Sequence, residues 1–429
     1  MGLDADRGRR VNNWNPWINS NWLACALLIE ENEQRRLAAV HKVLTSLDRF
    51  LDAYHDDGGC DEGPGYWSRA GGSLFDCLEL LHSATGGAID FYGTPLVREI
   101  GRYIVRAHIY DDYFINFADA SARVRIPADL VFRYGRRIGD TDVQALGAYA
   151  AAGASSGHAG RESIGRELPA LFNLATLRAA PGGQPLLRDV WLSGIEVMAA
   201  RRKQGSAEGL YLAAKGGHNA ESHNHNDVGN FIVYAGGQPV IVDVGVETYS
   251  AKTFSSKRYE IWTMQSGYHN LPAIGGVMQK EGREFAARKV EYRADDRAVE
   301  FGLDIAGAYP PEAGLDSWRR VLRLDRRDNR IDIDESYSLN KPAGRITLTL
   351  MTPCQVTRSS AGEMEFNGAQ SRKVRILYDA RALTPSIEEI PVNDARLKSV
   401  WGDRLYRVLL VAEKPPSRAS WSLRIVQPE

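Results

Sequence analysis

The chain carries two patterns of hydrophobic and polar positions, one after the other. In the first, apolar residues recur at three- and four-residue steps: Leu37, Val40, Leu44, Leu47 and Leu51, then Leu74, Leu78 and Leu81, then Val97, Ile100 and Ile104. This spacing lines one face of a 3.6-residue helix and predicts amphipathic helices, each with one buried stripe. Loops with glycine or proline separate the blocks at 56–65, 85–87 and 93–95. Helix, short loop, helix, with no fixed sequence repeat, predicts packed helical hairpins and not a consensus solenoid. From about Gly209 the pattern changes to short β-rich runs such as GLYLAAKGG, NFIVYAGGQPVIVDVG, KVEYRA and GRITLTLM, punctuated by Gly, Pro, Asn and Asp. The clearest hairpin is RVLRLDRRDNRIDIDESY, in which Ile331 and Ile333 answer Val321, Leu322 and Leu324 across an Arg-Asp-Asn turn. Many strands with no helices between them predict an antiparallel sandwich and not a βαβ sheet.

Proline follows the same division, with four in residues 1–160 and fourteen in the 269 that follow. The expected organisation is a helical domain over 1–160, a linker and docking segment over 161–208, and a β-sandwich over 209–429. Within the linker, RDVWLSGIEVMAARR reads as an edge strand or a docking segment. A length of 429 residues suits two domains at roughly 100–200 residues each. With 53 Lys and Arg against 54 Asp and Glu, the net charge is −1. No whole-domain basic field is available, so a nucleic-acid partner is not expected. The longest purely apolar run, Trp22 to Ile29, falls far short of the ~20 residues of a membrane span. The opening MGLDADRGRR has no apolar segment after its charges, and Asp6 stands where a myristoylation signal needs Ser or Thr. Cys25, Cys60, Cys77 and Cys354 form no CxxC pair and no disulfide framework, so they read as buried thiols.

Candidate chemistry concentrates in three segments. Glu221-Ser-His-Asn-His-Asn-Asp227 holds His223 and His225, and an HxH step in extended chain sets two imidazoles on one face about 7 Å apart. Asp243 follows among the valines of VIVDV, where a buried carboxylate needs a strong partner, and His269 sits in the turn GYHNLP. Two imidazoles and a carboxylate from His225, Asp243 and His269 make a reasonable zinc set. The alternative is a solvated histidine turn. In the simplest register around the GGQP turn, Asp243 faces Ile232, and a straight strand would hold it roughly 23 Å from His225. Metal binding therefore requires a bend near Asp227-Val228-Gly229, or another strand that returns His225. HxHxD also opens the motif of metallo-β-lactamase-like hydrolases, but the histidine they require next is Val228 here.

The second segment, Val11 to Trp22, packs five asparagines and three tryptophans into twelve residues. Asn13 or Asn15 is expected at a helix N-terminus, where unpaired backbone donors and the helix dipole favour an anion such as a carboxylate. The tryptophans suit either a core or a platform for sugar rings. The third, Cys60 to Gly72, surrounds Tyr66, Trp67 and Arg69 with glycines, with Glu62 just ahead. Such loops on a helical scaffold expose titratable groups for chemistry.

Taken together, DEGPGYWSRAGGSLFD, KGGHNAESHNHNDVGNFIVYAGGQPVIVDVG and KRYEIWTMQSGYHNLPAIGGVMQ resemble the heparinase II/III-like polysaccharide lyases. The resemblance implies an α+β multidomain protein, an N-terminal α/α toroid followed by a C-terminal antiparallel β-sandwich. It implies a carbon–oxygen lyase of bacterial type, acting on glycosaminoglycan or alginate. Such an enzyme cleaves acidic poly- or oligosaccharides that contain uronic acid by β-elimination, leaving a 4,5-unsaturated uronate end. By resemblance Tyr66 is the catalytic tyrosine, serving as base, acid or both, and His223 is the catalytic histidine, the alternative base. Asn13, with Asn12 beside it, matches the position that braces the substrate carboxylate. Arg258 and Tyr259 match a region lining the substrate path. His225, Asp243 and His269 match the ligands of one structural zinc ion. Arg69 is placed to meet substrate carboxylates, and Glu62 to orient Tyr66 or a donor, with helix capping as its alternative. A homodimer is compatible with the resemblance.

Two departures qualify the expectation. Many family members follow the bracing asparagine with histidine, whereas Asn13 is followed by Trp14. A non-catalytic glycan-binding protein on the same scaffold is therefore the alternative reading, with a metal-dependent hydrolase as the third. In related lyases several helical hairpins precede that asparagine, so the toroid is expected to be incomplete here, with an exposed apolar edge. Met1 is then expected to be an internal start, and a missing upstream segment would carry further helices and any export signal, giving a periplasmic or secreted protein.

Overall fold

Where the sequence reads at helical period the chain is helical, and where it reads in short β-rich runs it is extended. The computed structural model describes residues 11–153, 164–369 and 373–428. It divides into a helical unit, Met1–His108 with Val124–Pro185, and a β unit, Ile109–Arg123 with Leu186–Glu429. This differs from a division drawn along the chain at 160 and 208. RDVWLSGIEVMAARR forms the antiparallel strands Asp189–Leu192 and Val197–Arg201, and so belongs to the β unit, with the former at a sheet edge. Segment 109–123 joins that unit too, although it lies among helices in sequence.

In the helical unit, Trp14–Leu28 packs on Glu33–Asp52 and on Gly71–Ala84, and Ala128–Ile138 packs on Thr141–Gly153. Leu74, Leu78 and Leu81 are buried as their spacing predicts, as are Val97, Ile100 and Ile104 on Pro95–Arg106. The stripe on Glu33–Asp52 is shorter than its periodicity predicts. Val43, Ser46, Leu47 and Phe50 are buried, but Leu37 is 60% exposed, because burial needs a neighbouring element as well as a period. At the centre, Trp67, Phe75 and Tyr134 stack, and Gly101 lets the Tyr134 ring approach to where a Cβ would lie 2.8 Å from it.

One buried pair in this unit gives a pH-dependent prediction. Burial pushes the Asp76 carboxyl from its ordinary 3.8 up to about 6, although Arg166, with Nε 2.8 Å from Oδ2, pulls the other way. The folded state thus binds this proton more tightly than the unfolded chain, so the contribution is complete below about pH 4 and is lost as pH rises through 6. The stability of wild type relative to Asp76→Asn should fall by on the order of 3 kcal/mol between pH 4 and 7, measured by denaturant titration. A difference independent of pH would refute it.

The β unit contains three larger antiparallel sheets, none of them closed. An eight-stranded sheet centres on Leu315–Asp325, Arg330–Leu339 and Arg418–Val426, a five-stranded sheet runs from Asp189–Leu192 to Gln238–Ile241, and a four-stranded sheet centres on Arg345–Thr352 and Arg404–Glu413. One core draws residues from all three, among them Phe231, Phe301, Trp318 and Leu348. The expected hairpin is present: Leu322 pairs with Ile333 and Leu324 with Ile331, all four buried, while half-buried Val321 points to the opposite face.

Arg320 ties this hairpin to the loops that carry the histidines. Its guanidinium pairs with Glu335, both side chains almost fully buried, and Nη1 donates to the carbonyls of Gly229 and Asn270 at 2.7 Å each. Glu335 also accepts from Trp318 Nε1. Arg320→Met would leave Glu335 without its cation and two carbonyls without a donor, and should cost about 3–5 kcal/mol in equilibrium unfolding. A loss below about 1 kcal/mol would mean that the pair is dispensable.

Candidate functional site

The bend that the histidine motif requires is present. After the strand Leu210–Lys215 the chain turns repeatedly, Asn230 N donates to Asp227 O, and Gly229 adopts a left-handed φ of +87°. A Cβ at Gly229 would lie 2.6 Å from Ile305 Cγ2, so both the conformation and the space require glycine. The register also differs from the simple one. Val233 pairs with Ile241, a bulge follows, and the strand ends at Ile241, so Asp243 lies beyond the strand and accepts from Asn230 Nδ2 at 2.7 Å. Asp243 is therefore not opposite Ile232.

As a result His225, Asp243 and His269 converge, each offering a ligand atom with all such atoms within 4.8 Å of one another. All three side chains are fully buried. His225 Nδ1 and His269 Nε2 have no hydrogen-bond partner among the described residues. Two orphaned imidazole nitrogens beside a buried carboxylate fit a borderline-soft divalent cation, which would satisfy the desolvated lone pairs. Asp243 Oδ1 accepts from Gly245 N; burial opposes its charge, but His269 beside it holds the carboxyl below its usual range. Asn270, next to His269, donates to the carbonyls of Phe231 and Val242 and accepts from Met351 N, so the ligand loop is stapled to three segments. Lys215 and Asp227 form a second buried pair at 2.7 Å.

His223 is placed differently. Its backbone has a φ of +56°, uncommon outside glycine, and its side chain is 18% exposed. Nδ1 lies 2.7 Å from Asp119 Oδ2, and Tyr249 stacks nearby with ring centroids 6.3 Å apart. Arg258 donates from Nε to Asn224 O and from Nη2 to Asp119 Oδ1, and Tyr259 Oη accepts from Asn224 Nδ2. Arg258 and Tyr259 thus brace the histidine loop itself. Burial raises the Tyr259 hydroxyl pKa.

Asp119 and Tyr249 carried no signal in the sequence. Asp119 lies in FADAS, far from the histidines along the chain and in no glycine or histidine pattern. Only the placement of segment 109–123 in the β unit brings its carboxylate to them. Burial would raise that carboxyl, but hydrogen bonds from His223 and His225 and the charge of Arg258 hold it well below the usual carboxylate range.

In the helical unit, Asn13 occupies the N-cap of Trp14–Leu28 but makes no side-chain cap. Its amide instead donates to Glu62 Oε2, with both residues buried. Asn13 thus stands at a helix N-terminus as expected, with its amide turned to the buried Glu62 carboxylate. Glu62 holds Asn13. Asn12 is exposed and accepts from Trp14 N. Trp14 is 48% exposed, its ring centroid 4.9 Å from that of Trp17, and the exposed Arg69 sets its guanidinium 4.6 Å over the Trp17 ring. Tyr66 is half-buried on the one-turn helix Pro64–Trp67.

Residues 188–388 match the family described as "Heparinase II/III-like, C-terminal". No curated protein matches the chain. Among solved structures, a heparinase III gene product with methylated lysines superposes with a TM-score of 0.73 at 13% identity, over 99% of this chain and 59% of that one. The heparan sulfate lyase HepC from Pedobacter heparinus gives 0.73 at 12% identity, over 99% and 61%. A further heparinase III gives 0.73 at 14% identity, over 95% and 60%. The chain thus spans about three fifths of the length of these structures and shares their fold of helices and antiparallel sheets. The resemblance read from the sequence therefore holds for residues 188–388, which carry His223, His225, Asp243, Arg258, Tyr259 and His269 and match the heparinase II/III-like C-terminal family.

Proposed function

We propose that the protein is a polysaccharide lyase that cleaves acidic poly- or oligosaccharides by β-elimination at a uronic acid, on a scaffold of α/α toroid and β-sandwich type. One observation carries this reading. In a domain matched to the heparinase II/III-like family, a buried His225–Asp243–His269 group lies two residues from His223, which stays partly exposed on a braced loop.

The C5 proton of a uronate is acidic only when the adjoining carboxylate is neutralised. Asn13, held by Glu62, is the donor for that carboxylate, and the enolate-like charge that develops there is what such donors stabilise. A base removes C5–H and an acid protonates the departing O4. Tyr66 serves as base, acid or both, and His223 is the alternative base. Exposed Trp14, with Trp17 and Arg69, offers aromatic and cationic surface to an anionic sugar chain.

His225, Asp243 and His269 would hold one zinc ion. A bound ion there supplies charge that fixes three loop segments. Three protein ligands leave one position of a tetrahedral ion for water or another donor, so the order in which a chelator removes stability and activity is what separates this reading from a metal-dependent hydrolase. Incubation with heparan, hyaluronan, chondroitin and alginate, followed by ultraviolet absorbance of the conjugated C4=C5 product, tests the reading. A rise on one of them is expected. Silence on all, from folded protein that still binds a glycan, would favour the non-catalytic binder.

A further inference from the structure

Asp119 lies outside every motif of the sequence, yet four side chains converge on its fully buried carboxylate. His223 Nδ1 lies 2.7 Å and the Tyr249 hydroxyl 2.9 Å from Oδ2, while His225 Nε2 lies 3.1 Å and Arg258 Nη2 2.6 Å from Oδ1. A carboxylate paired with a guanidinium is ionised and only accepts, so each imidazole nitrogen that faces it carries the hydrogen. We propose that Asp119 is a positioning residue that fixes opposite neutral tautomers in two histidines two residues apart, Nδ1–H in His223 and Nε2–H in His225.

The consequences differ for the two rings. In His225 the bare nitrogen is Nδ1, the atom that lies buried without a hydrogen-bond partner among the described residues. That nitrogen is the one a metal needs, and the Nε2–H bond to a carboxylate is the usual way a ligand histidine is oriented. In His223 the bare nitrogen is Nε2, on a side chain that keeps 18% of its surface exposed. That lone pair is what a general base uses, so this consequence rests on the lyase reading, whereas the tautomers do not. One carboxylate thus serves the ligand and the base together. His225 shares Oδ1 with Arg258 while His223 shares Oδ2 with Tyr249, so the same carboxylate would orient a metal ligand on one oxygen and the base on the other.

The test uses the full chain, zinc-loaded and labelled with 15N at histidine, with His223 and His225 assigned through His223→Gln and His225→Gln. Long-range 1H–15N spectra, recorded where the imidazoles are neutral, should show Nδ1–H for His223 and Nε2–H for His225. The opposite tautomer in either ring, or free exchange between tautomers at His223, would overturn the proposal. Asp119→Asn offers one carbonyl oxygen in place of two acceptors. It should release the His223 tautomer and weaken zinc binding against a competing chelator by about 10–100-fold. On any substrate found it should lower kcat more than it changes KM. Wild-type spectra and wild-type zinc affinity in Asp119→Asn would sink it. If that variant fails to fold, the wild-type spectrum decides alone. If the wild type binds no zinc, the metal reading fails while the spectra of the metal-free chain still judge Asp119. If no uronate polymer is cleaved, the lyase reading fails and the two tautomers stand or fall as before.

Discussion

Tyr66→Phe should slow the appearance of unsaturated uronate by about 10²–10⁴-fold, and His223→Ala should do so by a similar factor, the usual worth of a positioned acid or base. The phenylalanine variant keeps the ring on Pro64–Trp67 and removes only the hydroxyl, so a folding defect is not expected. His223 meets Asp119 through Nδ1, and its backbone already occupies the left-handed region. Alanine there should leave the zinc content and the thermal midpoint close to wild type. The measurement is the initial rate of ultraviolet absorbance on whichever polymer is cleaved. The two variants also separate roles. If Tyr66 is both acid and base, its loss should exceed that of His223 and persist across pH. If His223 is the base, both losses should be of comparable size. Full activity in both variants would remove the lyase mechanism proposed here.

His225→Ala and His269→Ala should each take zinc from one ion per chain to almost none. The expected loss of stability is about 4 kcal/mol, the linkage for a ligand present at roughly a thousand times its dissociation constant. Buried atoms set the sign. Without an ion, His225 Nδ1 and His269 Nε2 lie desolvated and unpaired, and each such group costs about 1–3 kcal/mol. Treatment of wild type with a strong chelator should therefore lower the thermal midpoint first and reduce activity only as the loops loosen. An ion that took part in the reaction would act in the other order, with activity lost while the midpoint held. Metal analysis and calorimetry on the same samples distinguish the two. A midpoint indifferent to chelation, with no zinc found, would make the three residues an ordinary buried polar cluster.

The metal candidates show how far the sequence reaches. Residue type alone selected His225, Asp243 and His269, because histidine and aspartate among valines and turn residues need a reason to be there. The distance between them could not be read, since straight-strand arithmetic separates His225 from Asp243 by roughly 23 Å. Gly229 and the bulge beside Val233 reverse that estimate by turning the chain back on itself. The helical stripes were legible for the same local reason, and Leu37 failed for a non-local one: periodicity states which face would be buried, not whether a neighbour covers it. Asn13 was selected correctly as a residue at a helix start, but its partner Glu62 lies 49 residues away, beyond the reach of any local pattern.

By itself, then, the sequence determined the two structural grammars and the residue types at the candidate chemistry, because both are written in local spacing and composition, and its motifs carried the resemblance that the match over 188–388 bears out. The tertiary structure alone decided that segment 109–123 joins the β unit, and with it that Asp119 stands between His223 and His225. No local rule could supply this. A carboxylate more than a hundred residues from its partners leaves no periodicity between them, and only the packing of the folded chain brings the charge and its donors to hydrogen-bond distance.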